Sequence, residues 1–145
     1  GLYRRNTLAR KARARRRPWP ERATGDANLH ARGMVKGWPA DALQAYVASA
    51  LQDRAEGGVE LKCRPSREAE IFGSFPRRLW TSLAKVRTPV NVEYGAQTYP
   101  FVASAVHRWR SINPWISVAQ VPGGHCFMQQ DPPAAARRIT AFLLE

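Results

Sequence analysis

Val118-Ala119-Gln120-Val121-Pro122-Gly123-Gly124-His125-Cys126-Phe127-Met128-Gln129-Gln130-Asp131-Pro132 is the most informative stretch of this chain. It reads as a strand that ends in a glycine turn with a histidine at its tip. Glycines let the backbone turn sharply. Such a turn brings the imidazole to the carboxyl edge of a sheet, where ligands of open α/β sheets bind. A histidine there can act as a general base at neutral pH. Taken alone, a loop histidine is more often structural or solvated, so the reading depends on what flanks it.

On the carboxyl side, Asp131 is placed to cap a final helix. Pro132 and Pro133 lie in its first turn, and Ala135, Ile139, Phe142 and Leu143 form its buried stripe. On the amino side, Val90, Val92 and Tyr94 alternate as a strand. Pro100 then opens a helix with Val102, Val106 and Trp109 on one side, and Trp115–Val121 forms a second strand. The order is β-α-β-α, the pattern of a parallel sheet covered by helices. Two strands with exposed edges do not make a stable parallel sheet. Partner strands are therefore expected on a preceding segment or on another chain.

Further out, residues 1–87 read as mainly helical. A helix over residues 2–17 is stopped by Pro18-Trp19-Pro20, and a second runs from about Glu21 to Met34. The third has Asp41 in its first turn and Leu43, Tyr46, Val47, Ala50 and Leu51 on one face, with Gly57-Gly58 as its stop. Val59–Cys63 alternates like a short extended segment closed by Pro65. Two helical pieces follow over Ser66–Phe72 and Arg77–Val86, the latter burying Leu79, Trp80, Leu83 and Val86.

Composition sets outer limits. A chain of 145 residues can bury one modest core, and 44% hydrophobic with 23% charged residues is ordinary for a globular protein. No run approaches the roughly 18 apolar residues of a membrane helix, and no apolar signal region follows the amino terminus; no membrane span is expected. Cys63 and Cys126 lack metal or disulfide-framework spacing, which makes reduced, cytoplasmic thiols the default. The chain starts at Gly1 within an arginine-rich stretch, which favours a truncated or processed protein. Residues 1–20 hold eight Arg or Lys and no acid, leaving +4 of the net +12 for the remainder. Such a block can bind phosphates. Because Leu2, Tyr3, Leu8, Ala9, Ala12 and Ala14 interleave with the arginines, a solvated helix face is the plainer reading. No stacking platform, zinc finger or ribonucleoprotein motif accompanies it, so nucleic acid is not an expected partner.

Gly123-Gly124-His125 followed by Gln130-Asp131-Pro132 resembles the end of the α/β-hydrolase family. There the last strand runs into a glycine-histidine turn and a final helix. Thr88-Pro89-Val90-Asn91-Val92-Glu93-Tyr94-Gly95 resembles the family's penultimate core strand, and Thr88–Glu145 is covered well. The expected fold class is thus α/β, an incomplete α/β-hydrolase fold. Residues 1–87 would be a helical cap with a basic amino-terminal helix, and residues 88–145 the carboxyl-terminal part of the core. The resemblance implies that His125 is the catalytic histidine, that the cap shapes the pocket, and that no cofactor or metal is needed. Trp38, Tyr46, Phe72 and Trp80 could line that pocket, although core packing is the ordinary role for such residues.

Two of the family's parts are absent from the sequence. The nucleophile elbow G-x-S-x-G does not occur, and Gly73-Ser74-Phe75-Pro76 lacks both its spacing and a preceding strand. The loop Gly95-Ala96-Gln97-Thr98-Tyr99-Pro100-Phe101, where the orienting acid often sits, has no carboxylate. Glu93 should face the sheet and Asp131 should cap a helix. The expectation is therefore a hydrolase of ester, amide or related acyl small-molecule substrates whose nucleophile lies on a missing amino-terminal segment of the same fold, the present chain being inactive alone. Dehalogenases and epoxide hydrolases, with a carboxylate nucleophile, stay within the family's range. The alternative is a non-catalytic hydrolase-like module whose basic helix engages an anionic partner.

Overall fold

The computed structural model of this chain describes residues 6–15 and 17–144. They fall into two compact units. One comprises the residues up to Val35 together with Leu43–Pro76, the other Lys36–Ala42 and everything from Arg77 onward.

The first unit contains α1 (Thr7–Arg13), β1 (Pro18–Trp19), α2 (Arg22–His30), most of α3 (Ala40–Ala50), β2 (Leu51–Asp53), β3 (Val59–Leu61) and α4 (Pro65–Gly73). Asn6 caps α1, its Oδ1 accepting from the Leu8 and Ala9 amides at 2.9 and 3.1 Å. The amide nitrogen of the same side chain donates to the Phe72 carbonyl at the end of α4. Ala9 and Ala12 pack on Ala69, small side chains that let α1 and α4 approach closely. The parts of the expected first helix at residues 2–5 and 16 lie outside the described residues.

This unit is less helical than its sequence suggests. Leu51 does not end the third helix but begins a strand. Gly57-Gly58 is the turn of a β2–β3 hairpin, not a helix stop. Pro18-Trp19 breaks the helix as expected and then pairs with β3, giving an antiparallel sheet in the order β1-β3-β2. The physical reason is that Leu51 is buried in either case. Apolar periodicity reports which side chains go inward, and a strand that begins where a helical stripe ends leaves no mark in it. Trp19, Leu29, Val47, Leu51, Val59 and Leu61 form the core, all at most 6% exposed. Each such large side chain contributes roughly 1.5–3 kcal/mol by leaving water. Pro65, expected to close the extended segment, stands at the first turn of α4.

The second unit holds α5 (Leu79–Leu83), β4 (Val90–Gly95), α6 (Pro100–Ile112), β5 (Ile116–Val121), α7 (Phe127–Gln130) and α8 (Pro132–Leu144). The expected β-α-β-α order is present, with the short α7 added before the final helix. β4 and β5 pair in parallel, Val90 opposite Ile116 through Gly95 opposite Val121. A parallel pair needs a crossover connection, which α6 supplies. Successive side chains of a strand alternate between faces. The Tyr94 hydroxyl lies 3.0 Å from Nε2 of His107 in α6, while Glu93 pairs at 2.8 Å with Arg138 of α8. The two helices therefore cover opposite faces of the strand pair.

Asn113, 1% exposed, fastens this unit together. Its side chain donates to the carbonyls of Leu83 and Val86 at 2.8 and 3.0 Å and accepts from the Trp115 amide at 2.9 Å. α5 is shorter than the expected 77–86 helix. Leu79, Trp80, Leu83 and Val86 are half-buried, not buried. The α8 stripe also differs from expectation, for Ala135 is buried while Ile139 and Leu143 are 49% and 71% exposed. Apolar spacing identifies a face suited to burial. It does not supply the element that buries it.

Candidate active site

The turn after β5 is held tightly against the end of β4. The Ala96 amide donates to Val121 and the Gln97 amide to Gly123, at 2.8 and 2.9 Å, so the two loops continue the pairing of the strands. A Cβ on Gly95 would lie 1.9 Å from the Gly124 carbonyl oxygen, and Gly123 has φ 109°. Neither position accommodates a side chain. These glycines set His125 beside the β4–α6 loop.

His125 is exposed, and its Nδ1 lies 2.8 Å from Oγ1 of Thr98. The Tyr99 ring meets the imidazole edge-on at a centroid distance of 5.2 Å and is itself stacked on Phe101 at 5.4 Å. With Nδ1 engaged, Nε2 is the ring nitrogen left for a reacting group.

A second support was not foreseen from the sequence. Gln130, the last residue of α7, accepts from the Gly124 amide at 2.7 Å through Oε1 and donates to the Lys36 carbonyl at 3.1 Å through Nε2. One carboxamide thus ties the histidine turn to the Lys36–Ala42 segment of the same unit. Its only trace in the sequence is an amide side chain six residues after a Gly-Gly pair, a signal too weak to use.

The other sequence candidates are dispersed. Glu93, only 13% exposed at its side chain, is held by Arg138 and does not reach His125. Asp131 caps α8, accepting from the Ala134 amide at 3.0 Å. Cys126 is half-buried, and burial pushes its thiol up from the ordinary range; it is therefore a poor nucleophile at neutral pH. Tyr46 packs against the core of the first unit, Phe72 is exposed, Trp38 is half-buried, and Trp80 lies under the Arg108 guanidinium at 4.1 Å. Among the described residues no group of His, Cys, Asp and Glu could hold a metal ion. In the basic stretch, Arg15 is paired with Glu68 and Arg17 with Glu60, so these two cations point to partners within their own unit.

Comparison by sequence finds no matching protein family and no matching curated protein. Comparison by structure does. E-2-(acetamidomethylene)succinate hydrolase matches over 95% of this chain with a TM-score of 0.76 and 22% identity. A thioesterase domain from the curacin biosynthetic pathway matches over 97% with a TM-score of 0.67 and 15% identity. The fold is that of the α/β-hydrolases. The chain spans about half the length of each relative, 51% and 52% respectively, so the α/β-hydrolase fold is incomplete in these 145 residues. Among the described residues β4 and β5 pair only with each other, and Ile139, Leu143 and Leu144 of α8 are exposed. Among the described residues no helix is long and apolar enough to cross a membrane.

Proposed function

We propose that this chain supplies the catalytic histidine of an α/β-hydrolase acting on ester, amide or related acyl small molecules. In this reading residues 88–145 are the carboxyl-terminal part of the core and residues 1–87 the cap. A serine on an amino-terminal segment outside the 145 residues attacks the acyl carbon. His125 Nε2 takes the serine proton during attack and returns it to the leaving group. The setting is cytoplasmic, in keeping with two free cysteines.

The observation that carries the proposal is the exposed imidazole of His125, at the carboxyl end of a parallel strand pair, anchored through Nδ1 and open at Nε2. That is the arrangement a general base requires: one nitrogen oriented, the other accessible. The alternative of an anion-binding module draws less support, because Arg15 and Arg17 are engaged by Glu68 and Glu60.

The test is His125→Ala in the complete protein, assayed on p-nitrophenyl esters. kcat is expected to fall at least about 10³-fold with KM little changed, since the oxyanion and binding contributions survive loss of the base. An unchanged kcat in a folded variant would return His125 to a structural role.

A further inference from the structure

The loop after β4 offers His125 no carboxylate, yet its imidazole is not free. Thr98 Oγ1 stands 2.8 Å from Nδ1, and the loop that carries Thr98 is fixed independently of that bond. The Thr98 amide donates to the Gly95 carbonyl at 3.0 Å, the Gln97 amide to Gly123, and Pro100 opens α6 immediately afterwards. Across the gap, the turn bearing His125 is held by Gln130. Both partners of the contact are thus placed by their own backbones. Among the described residues His125 makes no ion pair. Its contacts are the Thr98 hydroxyl and the Tyr99 ring.

We propose that Thr98 is a positioning residue for the candidate base: its hydroxyl accepts the hydrogen bond of Nδ1–H and so presents Nε2 of His125 unprotonated. This rests on the reading of His125 as the base, and it adds the residue that selects the tautomer. A hydroxyl both donates and accepts. Thr98 is half-exposed, so its own hydrogen has water to bond to, while Oγ1 faces the ring. The consequence differs from that of a carboxylate in the same place. Accepting from Nδ1–H adds the worth of an ordinary hydrogen bond, about fivefold, to that tautomer only while the hydroxyl hydrogen stays on water; turned toward the ring, the same hydroxyl would donate to Nδ1 of the other tautomer. It does not stabilise the imidazolium as an anion would.

The experiment uses the 145-residue chain itself and does not require turnover. The chain has three histidines, which ¹⁵N-labelled side-chain spectra resolve once His30→Gln and His107→Gln variants assign the other two. Above the titration of its ring, His125 is expected to be mainly Nδ1-protonated in the unmodified chain. Thr98→Val, which keeps the shape and removes the hydroxyl, should shift the population toward Nε2–H by about fivefold, and Thr98→Ser should restore it. Thr98→Asp should raise the pH at which the ring titrates, by placing an anion on Nδ1. A predominantly Nε2-protonated His125 in the unmodified chain overturns the proposal whatever the variants do, as does a Thr98→Val tautomer ratio equal to the unmodified one. Either outcome leaves the catalytic reading standing, because that depends on His125→Ala turnover in the complete protein.

Discussion

At the scale of single residues, chemistry and packing separate cleanly between His125 and Glu93. Glu93 is the nearest carboxylate in sequence to the loop that faces His125, but its oxygen is bound by Arg138 on the face that α8 covers. Glu93→Gln in the complete protein should therefore leave kcat within about tenfold, against the ~10⁴-fold loss that follows when a triad aspartate becomes an amide. The variant should lose roughly 1–2 kcal/mol of stability by releasing a partly buried pair, measurable as a lower denaturation midpoint. A large kcat loss with an unaltered midpoint would make Glu93 the orienting acid. The two thiols give a check on the local environment. Cys126 is pushed up by burial whereas Cys63 is exposed, so at pH 8 iodoacetamide should label Cys63 faster. Labelling of Cys126 should accelerate only as pH climbs above the usual thiol range.

At the scale of elements, two side-chain amides do what the apolar pattern does not reveal. Asn113 satisfies two carbonyls before β4 and the amide leading into β5. Asn113→Ala leaves those groups buried or exposed to strained solvation and should cost about 3 kcal/mol, read by chemical denaturation. Gln130→Ala frees the Gly124 amide and should speed its hydrogen exchange, with kcat of the complete protein falling about tenfold at unchanged KM. Gln130→Glu keeps the acceptor but loses the donor to Lys36 and should fall between. Unchanged exchange at Gly124 would dismiss the bracing role. The elements themselves were legible to different degrees. β4, α6, β5 and α8 lie close to where alternation, prolines and the Asp131 cap put them, because each has a local signal. β3 falls within the extended segment read over Val59–Cys63, whereas β2 was hidden, since a three-residue strand has no period to read and Leu51 continues the apolar stripe of α3. Of the candidate site, the sequence showed His125 in a glycine turn. Its supports did not show, because Thr98 and Gln130 become neighbours of the turn only when the chain folds.

At the scale of the whole molecule, the chain amounts to about half of an α/β-hydrolase fold, and the energetic expectations follow. The 145 residues alone should hydrolyse no p-nitrophenyl ester and should unfold at low denaturant, given the open strand edges and the exposed α8 ridge. Turnover by this chain alone that His125→Ala abolishes would show that the site is complete here. The first unit has its own apolar core. Leu29→Ala, at a position 0% exposed, should cost about 2–5 kcal/mol, an effect to be read by thermal unfolding of the same chain. The sequence by itself determined the β-α-β-α order, the glycine turn, the histidine at its tip and the lack of a nucleophile elbow, because each is a property of residues near one another in the chain. Only the tertiary structure decided that a threonine meets Nδ1, that Glu93 is held elsewhere, that the Gly57-Gly58 stop is a hairpin turn, and that much of the α8 stripe stays exposed. The hairpin aside, those depend on contacts across tens of residues, where close packing and hydrogen-bond geometry select one partner among many that composition and periodicity leave equally acceptable.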